Sequence, residues 1–484
     1  MVSVHLSKLR IMYIILRSCY YLLLEPMKKN ILEKTIEAPA QALDRGIEGG
    51  KKFGSSLPSG GQNSIKRVKN YWYTLGPGLT TGASDDDPSG IATYSQTGAQ
   101  YGFTLLWMAF FTYPLMAVIQ EMCARIGLVT GRGLAGNIRA HFSKKVLYIS
   151  TIALFAANTF NIGADIGAMA GAVQLLRPRT NFTFIVVGFT IFIILMQVLT
   201  PYAKYARYLK WLALVLLAYI FSAILAKPNW GTVLHYSFVP HITWSKDQIL
   251  LICAILGTTI TPYLFFWQTS QEIEDEIADG KTTIKLRTGS DPTAINKMRI
   301  DVWSGMFLSN LVMFFIIAAC ATVLFSHGVT NIATATDAAR ALKPFAGNYS
   351  TYLFAVGILG VGLLAIPVMA GSSAYAISET LGKHQGLNNK LKQAYSFYGV
   401  IIISMLIGLG LNFVGLPQIK ALIYSAVLNG IVAPIIIVLI LLLARNKKVM
   451  GEWKNGRLAG MIGWFLALIM SASGIAAIYA LFVS

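Results

Sequence analysis

The segment GPGLTTGASDDDPSGIATYSQ, from Gly76 to Gln96, opens the first long apolar region of the chain and contains three consecutive aspartates. These are Asp85, Asp86 and Asp87, and Pro88 follows them directly. An ionised carboxylate at the centre of a membrane costs about 3 kcal/mol or more unless a partner compensates its charge. The segment therefore needs either access to water or a bound cation.

The composition indicates a membrane protein. The chain of 484 residues is 55% apolar and only 13% charged, with a mean hydropathy of +0.59, whereas soluble domains carry about 25% charged residues. Its apolar residues form runs of roughly 20, the length that crosses a hydrocarbon core about 30 Å thick. We expect a lipid bilayer as partner and no nucleic acid, because basic cytoplasmic loops explain the net charge of +19.

The apolar runs predict an all-α integral membrane protein with eleven spans. Residues 1–70 are predicted to be a largely flexible cytoplasmic tail, and residues 71–484 form the membrane domain. The spans are predicted at 72–99, 102–127, 146–176, 181–200, 207–226, 248–271, 301–326, 351–378, 393–414, 420–444 and 459–483.

The loops predict the orientation. With the N-terminus inside, the inner loops carry roughly three times as many Lys and Arg residues as the outer loops. Basic residues concentrate on the cytoplasmic side of membrane proteins. We therefore expect a multi-pass protein of the cell (inner, cytoplasmic) membrane with its N-terminus in the cytoplasm and its C-terminus outside.

Two spans contain sequences that interrupt a helix. Span one contains SDDDPSG with Pro88, and span six contains LGTTITPYLFF with Pro262. Irregular backbone at membrane depth survives only where it lines a cavity or is buried in protein. Two such breaks, five spans apart, predict a transporter with two inverted five-helix repeats, at 72–226 and 248–444, followed by a final helix at 459–483. The alternative is that each proline merely kinks a continuous helix.

The breaks supply oxygen atoms that suit a hard cation. Asp87 is the predicted direct ligand, with the hydroxyls of Thr258 and Thr261 and freed backbone carbonyls as further ligands. Such ligands favour magnesium, calcium or manganese. Asp85 and Asp86 are predicted to line an outward aqueous vestibule that attracts cations.

Three segments resemble the Nramp divalent-metal transporters. GPGLTTGAS…DPSG resembles the family's first helix with its Asp-Pro-Gly-Asn motif, ARIGLVTGRGLAG (Ala124 to Gly136) resembles the segment after its second helix, and GADIGAMAGA lies in span three. The resemblance covers the chain from Trp72 onward. It implies a leucine-transporter-type fold of eleven helices, a metal-binding role for Asp87 and a transported divalent ion as the substrate.

The departures from that family are as informative. Where the resemblance implies a metal-binding asparagine, this chain has Gly90, and where it implies a methionine sulfur, it has Thr261. Where the resemblance implies an alanine whose backbone carbonyl binds the metal, this chain has Thr258. Where it implies a glutamate three residues after Asp165, this chain has Ala168. Losing a thioether removes a preference for softer metals. The pattern is similar to the Nramp-related magnesium transporters, a branch thought not to couple metal to protons.

Two polar residues in the spans remain open to two interpretations. Asp165 lies on the ion path or simply bonds a neighbouring helix. Asn429 contributes through a water molecule, orients the breaks, or forms an interhelical hydrogen bond.

The prediction is an importer of Mg²⁺ and/or Mn²⁺ that works by alternating access without protons. One alternative is a proton-coupled Mn²⁺ or Fe²⁺ importer, and another is an amino-acid transporter of the same fold. We expect no enzymatic activity, since no nucleophile–base pair or phosphate-binding loop is present. We also expect no cofactor and a monomeric protein.

Overall fold

The computed structural model describes residues 76–200, 217–332 and 335–482, so the predicted tail at 1–70 lies outside the described residues. The first half of the described chain contains eight helices. They are α1 (Pro77–Asp85), α2 (Pro88–Tyr101), α3 (Trp107–Thr130), α4 (Leu134–His141), α5 (Lys144–Leu176), α6 (Phe182–Leu199), α7 (Leu217–Leu225) and α8 (Trp230–Phe238).

The second half contains eleven helices. They are α9 (Lys246–Thr259), α10 (Pro262–Ala278), α11 (Ile284–Arg287), α12 (Pro292–Val323), α13 (Ala335–Ala339), α14 (Lys343–Ala346), α15 (Ser350–Leu381), α16 (Tyr395–Leu411), α17 (Gln418–Arg445), α18 (Lys447–Met450) and α19 (Arg457–Phe482). Each predicted span overlaps one of these helices or a broken pair, while residues 72–75 of the first span, 207–216 of the fifth and 483 of the last lie outside the described residues. Seven helical runs are long and apolar enough to cross a membrane by themselves.

The outer surface of the bundle is apolar, as a bilayer requires. Five large apolar side chains on α5, α6 and α19 are 65–70% exposed: Ile152, Phe184, Leu199, Leu468 and Ile475. A soluble monomer rarely exposes so much contiguous apolar surface. The multi-pass architecture predicted from the sequence is therefore confirmed.

The two broken pairs lie at the centre of the bundle. Helices α1 and α2 both pack on α12, while α9 packs on α17 and α10 packs on α3 and α15. Helix α5 packs on α15, α16 and α17 and contacts α2. Residues at the breaks are consequently surrounded by other helices rather than by lipid.

Glycines allow α1 and α12 to approach closely. A Cβ atom on Gly78 would lie 2.6 Å from the backbone nitrogen of Val302, and one on Gly82 would lie 2.5 Å from the carbonyl carbon of Gly305. Asp301 of α12 also accepts hydrogen bonds from the amides of Gly76, Gly78 and Leu79, at 2.7, 2.6 and 3.1 Å. The N-terminus of α1 is thereby held by a carboxylate that its dipole favours.

The acidic segment QEIEDEIADGK, residues 271–281, is mostly helical, and three of its glutamates are buried. It continues α10 as far as Ala278, and Glu272, Glu274 and Glu276 are only 5–8% exposed. Glu274 accepts hydrogen bonds from Tyr375 and Asn388, both at 2.7 Å. Glu274 is thus bonded by residues distant in the chain, whereas Glu272 and Glu276 are bonded by Gln268 and Lys281, which are close in the chain.

Candidate functional site

The first break is a tight turn followed by a new helix. Asp86 has φ/ψ of −80°/60°, and the amide of Asp87 donates to the carbonyl of Asp85 at 2.9 Å, which defines an inverse γ-turn. Asp87 is extended at −70°/172°, as the residue before a proline prefers. Pro88 then begins α2, where its missing N–H costs no helical hydrogen bond.

The second break repeats this backbone path. Ile260 has φ/ψ of −114°/64° and Thr261 has −90°/135°, and Pro262 begins α10. The predicted break also included Gly257 to Thr259, but those residues remain helical. Gly257 instead allows α9 to pack against α17, since a Cβ there would lie 2.7 Å from the Gly430 Cα. Both prolines start helices, so the kinked-helix alternative is wrong.

Asp87 is the most strongly bonded carboxylate of the first break. Its Oδ1 accepts hydrogen bonds from the Ser89 hydroxyl and the Gly90 amide, both at 2.7 Å. Its Oδ2 accepts one from Asn161 Nδ2 at 2.9 Å. Because each carboxylate oxygen can accept about two hydrogen bonds, Oδ2 retains a lone pair for a further partner. Asp87 is 1% exposed and sits at the N-terminus of α2, which stabilises its charge.

Gly90 and Thr258 bring the two broken pairs together beside Asp87. A Cβ atom on Gly90 would lie 3.1 Å from Thr258 Oγ1 and 3.5 Å from Asp87 Oδ1. The Ser89 and Thr258 hydroxyls are 3.5 Å apart. Three of the predicted ligand positions therefore share one site, and any side chain at Gly90 would project toward Thr258.

Two further candidates carry polar atoms without hydrogen-bond partners. Thr261 is 1% exposed, and its hydroxyl has no partner among the described residues. Asn429 of α17 is equally buried, and both its amide atoms lack partners within the described chain, so the interhelical hydrogen bond is not formed. A buried polar atom without a partner costs about 1–3 kcal/mol, which a bound cation or water would recover.

Asp165 lies on α5 next to the Asp87 site. It is fully buried, and its carboxylate interacts electrostatically with Asp87 and with the backbone amide of Ser89, on α2. Both predicted roles, a place on the ion path and a bond to a neighbouring helix, are compatible with this position.

Asn161, which precedes Asp165 by one helical turn, was not predicted as part of the site. Asn161 bonds Asp87, and its own Oδ1 accepts a hydrogen bond from Ser425 of α17 at 2.8 Å. The only signal in the sequence was the spacing of four residues from Asp165, which places both side chains on one face of α5. Asn161 thus links the first break to α5 and α17.

Asp85 and Asp86 do not line an aqueous vestibule. They are 0% and 3% exposed, because the end of α1 is packed against α12. The Ser309 hydroxyl of α12 donates to Asp85 Oδ2 at 2.5 Å and lies 3.4 Å from Asp86 Oδ1. The predicted vestibule position is therefore wrong in this conformation, although both carboxylates remain near Asp87.

Two tyrosines connect the broken pairs crosswise. The hydroxyl of Tyr94, on α2, lies 3.1 Å from Thr259 Oγ1 at the end of α9. The hydroxyl of Tyr263, on α10, donates to the Ser84 carbonyl near the end of α1 at 3.0 Å. Tyr94 therefore joins α2 of the first broken pair to α9 of the second, and Tyr263 joins α10 of the second pair to α1 of the first. Tyr263 also satisfies one of the carbonyls that a helix end leaves free.

The four carboxylates at the site have no basic partner. Asp85, Asp86, Asp87 and Asp165 take part in none of the ion pairs between described residues. Among those residues, no three His, Cys, Asp or Glu side chains converge as a ready-made metal cluster. The donor set is instead one bonded carboxylate with hydroxyls and backbone carbonyls around it, which suits an oxygen-preferring cation.

Helices broken at the centre of a multi-pass bundle define a membrane transporter of the leucine-transporter type. Two solved structures share this fold. The Eremococcus coleocola manganese transporter, crystallised with an aromatic bis-isothiourea substituted compound, has a TM-score of 0.65 and 19% identity over 84% of this chain and 86% of its own. MhsT in complex with L-phenylalanine has a TM-score of 0.52 and 13% identity, and the match covers 84% of this chain and 97% of the MhsT chain.

The sequence comparisons identify the family. Residues 78–480 match the family model "Natural resistance-associated macrophage protein-like" (Nramp), and the chain belongs to that family. Two relatives carry the name divalent metal cation transporter MntH. The relative from Caldanaerobacter subterraneus subsp. tengcongensis is 26% identical, and the match covers 84% of this chain and 93% of the relative. The relative from Klebsiella pneumoniae is 24% identical, and the match covers 87% of this chain and 97% of the relative.

Proposed function

We propose that this protein imports divalent metal cations by alternating access, with the ion bound between the two helix breaks. The observation that carries the proposal is the group of four buried carboxylates at Asp85, Asp86, Asp87 and Asp165, none of which has an ion-pair partner in the described chain. Uncompensated buried charge is strongly unfavourable. A divalent cation would offset two of these charges.

The binding set of the proposal contains only oxygen. Asp87 Oδ2 has a free lone pair, and Thr258 and Thr261 add hydroxyls, one of them without a hydrogen-bond partner in the described chain. Such ligands accept Mg²⁺ and Mn²⁺. Gly90 leaves room for an ion that retains some of its water, which Mg²⁺ does readily.

The driving force of the proposed import is the membrane potential. Moving two positive charges inward gains about 4.6 kcal/mol at 100 mV. Because the inside of a cell is negative, this direction is uptake into the cytoplasm. Proton coupling is then not required.

A second candidate is a proton-coupled Mn²⁺ importer. Two observations favour it: Asp165 is a fully buried carboxylate that interacts electrostatically with Asp87, and the relatives are named divalent metal cation transporters. A proton on Asp165 would relieve the repulsion between the two carboxylates. Departure of that proton with each metal ion would couple the two fluxes.

Uptake into proteoliposomes tests both candidates. The vesicles contain a magnesium-sensitive or manganese-sensitive dye together with a pH dye, and a fixed membrane potential is applied. Magnesium entry without acidification supports the uncoupled importer. Manganese entry with acidification and no magnesium entry supports the proton-coupled one. Asp247→Asn, at an exposed position in the first turn of α9, is a matched control for substitutions at Asp87.

A further inference from the structure

A basic cavity lies away from the helix breaks, where the ends of α3 and α12 meet the segment before α19. Its volume is about 590 Å³. The residues that line it include three cations, Arg125, Arg299 and Lys454, together with Glu452 and Trp453. The ion path described above uses none of these residues.

The positive charge of this cavity exceeds its negative charge. Arg125 Nη2 and Arg299 Nε both donate to one carboxylate oxygen, Glu121 Oε1, at 2.8 and 3.0 Å. Trp303 Nε1 donates to the other oxygen of Glu121 at 2.8 Å. One carboxylate thus serves two guanidiniums. With Lys454 and Glu452 included, three positive groups meet two negative ones, an excess equal to the charge of one phosphodiester.

Donor capacity also remains at the cavity. Arg125 is 8% exposed, and its Nε has no hydrogen-bond partner among the described residues. Arg299, in contrast, is half exposed. Arginine presents five N–H donors in a planar fork that matches phosphate. The amides of Thr293 and Ala294 at the start of α12 already bond Asp291, so side-chain cations rather than the helix end would bind an anion.

The surroundings of the cavity favour a lipid over a soluble anion. Ile300, next to Arg299, is 38% exposed, and Leu458 and Met461 at the start of α19 are 70% and 68% exposed. These apolar side chains follow Arg299 and Lys454 closely in the chain, and their exposure makes them available to acyl chains. Trp453 is partly exposed, and tryptophan is enriched at the depth of lipid headgroups.

We propose that this cavity binds the phosphate headgroup of an anionic phospholipid, with Lys454, Arg299 and Arg125 as the recognising cations. On the orientation proposed above, the lipid belongs to the cytoplasmic leaflet, where juxtamembrane basic residues attract anionic lipids. The inference depends on the chain spanning a bilayer and is independent of which ion is transported.

Thermal unfolding of the purified full chain in detergent tests the proposal. Phosphatidylglycerol is titrated into the wild type, Lys454→Gln, Arg299→Gln and a control, Lys392→Gln, whose exposed side chain lies on a different loop. We expect phosphatidylglycerol to raise the unfolding temperature of the wild type and the control at the same lipid concentration. Each cavity variant should need about five times more lipid, because one cation near a membrane surface contributes roughly that factor.

Two other titrations can overturn the proposal. If phosphatidylcholine stabilises the wild type as well as phosphatidylglycerol does, the cavity does not select anionic headgroups. If inorganic phosphate or glycerol phosphate at millimolar concentration gives the full effect, the ligand is a soluble anion and not a lipid. Equal lipid requirements for all four proteins would place the lipid elsewhere. Arg125 is left unchanged because it is buried and its ion pair with Glu121 contributes to folding, whereas Arg299 is half exposed and its pair with Glu121 contributes little.

Discussion

The first helix break, at Asp86 and Asp87, and the second, at Ile260 and Thr261, follow almost the same backbone path but differ in side-chain chemistry. The first is charged, and its main carboxylate accepts three hydrogen bonds. The second is uncharged, and its threonine hydroxyl has no partner in the described chain. We infer that the first break supplies the affinity for a cation and the second adjusts which cation is preferred.

Asp87→Asn tests the first half of this comparison and should have the largest effect. Asparagine can still cap α2, so the substitution removes the charge and preserves the helix start. We expect transport to fall by about a hundredfold, the loss of a charge-assisted interaction, while thermal unfolding changes little. Metal uptake into proteoliposomes measures the rate. Uptake at the wild-type rate would refute the assignment of Asp87 as the ligand.

Asn161→Ala tests whether the first break needs its support from α5. The substitution removes the hydrogen bond to Asp87 Oδ2 and one of the two acceptors of the Ser425 hydroxyl, which can still donate to the Leu422 carbonyl. We expect the apparent KM for the metal to rise about tenfold with a smaller change in kcat, since the ligand is positioned less well. Ser425→Ala is the matched variant and should show the same change at reduced size. An unchanged KM in both would mean that Asp87 is held without α5.

Thr261→Met tests the second half of the comparison. Methionine supplies a thioether, which binds softer metals better than a hydroxyl does. We expect the preference for Mn²⁺ and Cd²⁺ over Mg²⁺ to increase several-fold, measured as competition in the uptake assay. Thr259→Ser is a control at a nearby hydroxyl that already bonds Tyr94. No change in the metal preference would show that Thr261 faces away from the ion.

Tyr263→Phe should have the smallest effect, because it changes the contact between the breaks and not the breaks themselves. The Ser84 carbonyl loses its partner, which costs about 1 kcal/mol of stability. Thermal unfolding measures this loss, and Tyr94→Phe gives the comparison for the other crossed contact. A loss of several kcal/mol in either variant would mean that the tyrosines hold the bundle together.

Most of the fold could be predicted from the sequence because membrane thickness sets span length and proline sets helix starts. The first break was predicted within SDDDPSG, Ser84 to Gly90, and the structure narrows it to Asp86 and Asp87. The second was placed too early, since Gly257 was interpreted as a helix breaker, whereas it serves close packing against α17. A glycine alone does not distinguish these two uses.

Site residues could be predicted from the sequence only where they lie close in the chain to one of the two prolines. Asp87, Gly90 and Thr258 were identified from their positions relative to the two prolines and from the resemblance. The partners of Asp87 and Asp85 were not: Asn161 lies 74 residues from Asp87, and Ser309 lies 224 residues from Asp85. The burial of Asp85 and Asp86 follows from the position of α12, which no local pattern reveals.

The glycine contact between α1 and α12 has a mechanical consequence. At Gly78, Gly82 and Gly305 the two helices meet backbone to backbone, so no interlocking side chains resist sliding. Moving α1 along α12 at these glycines requires no side chain to change its rotamer. It also leaves no cavity of the kind that the withdrawal of a side chain would create. Resistance to that displacement therefore comes from polar contacts at the two ends of α1: three hydrogen bonds to Asp301 at its start and the hydrogen bond from Ser309 to Asp85 at its end.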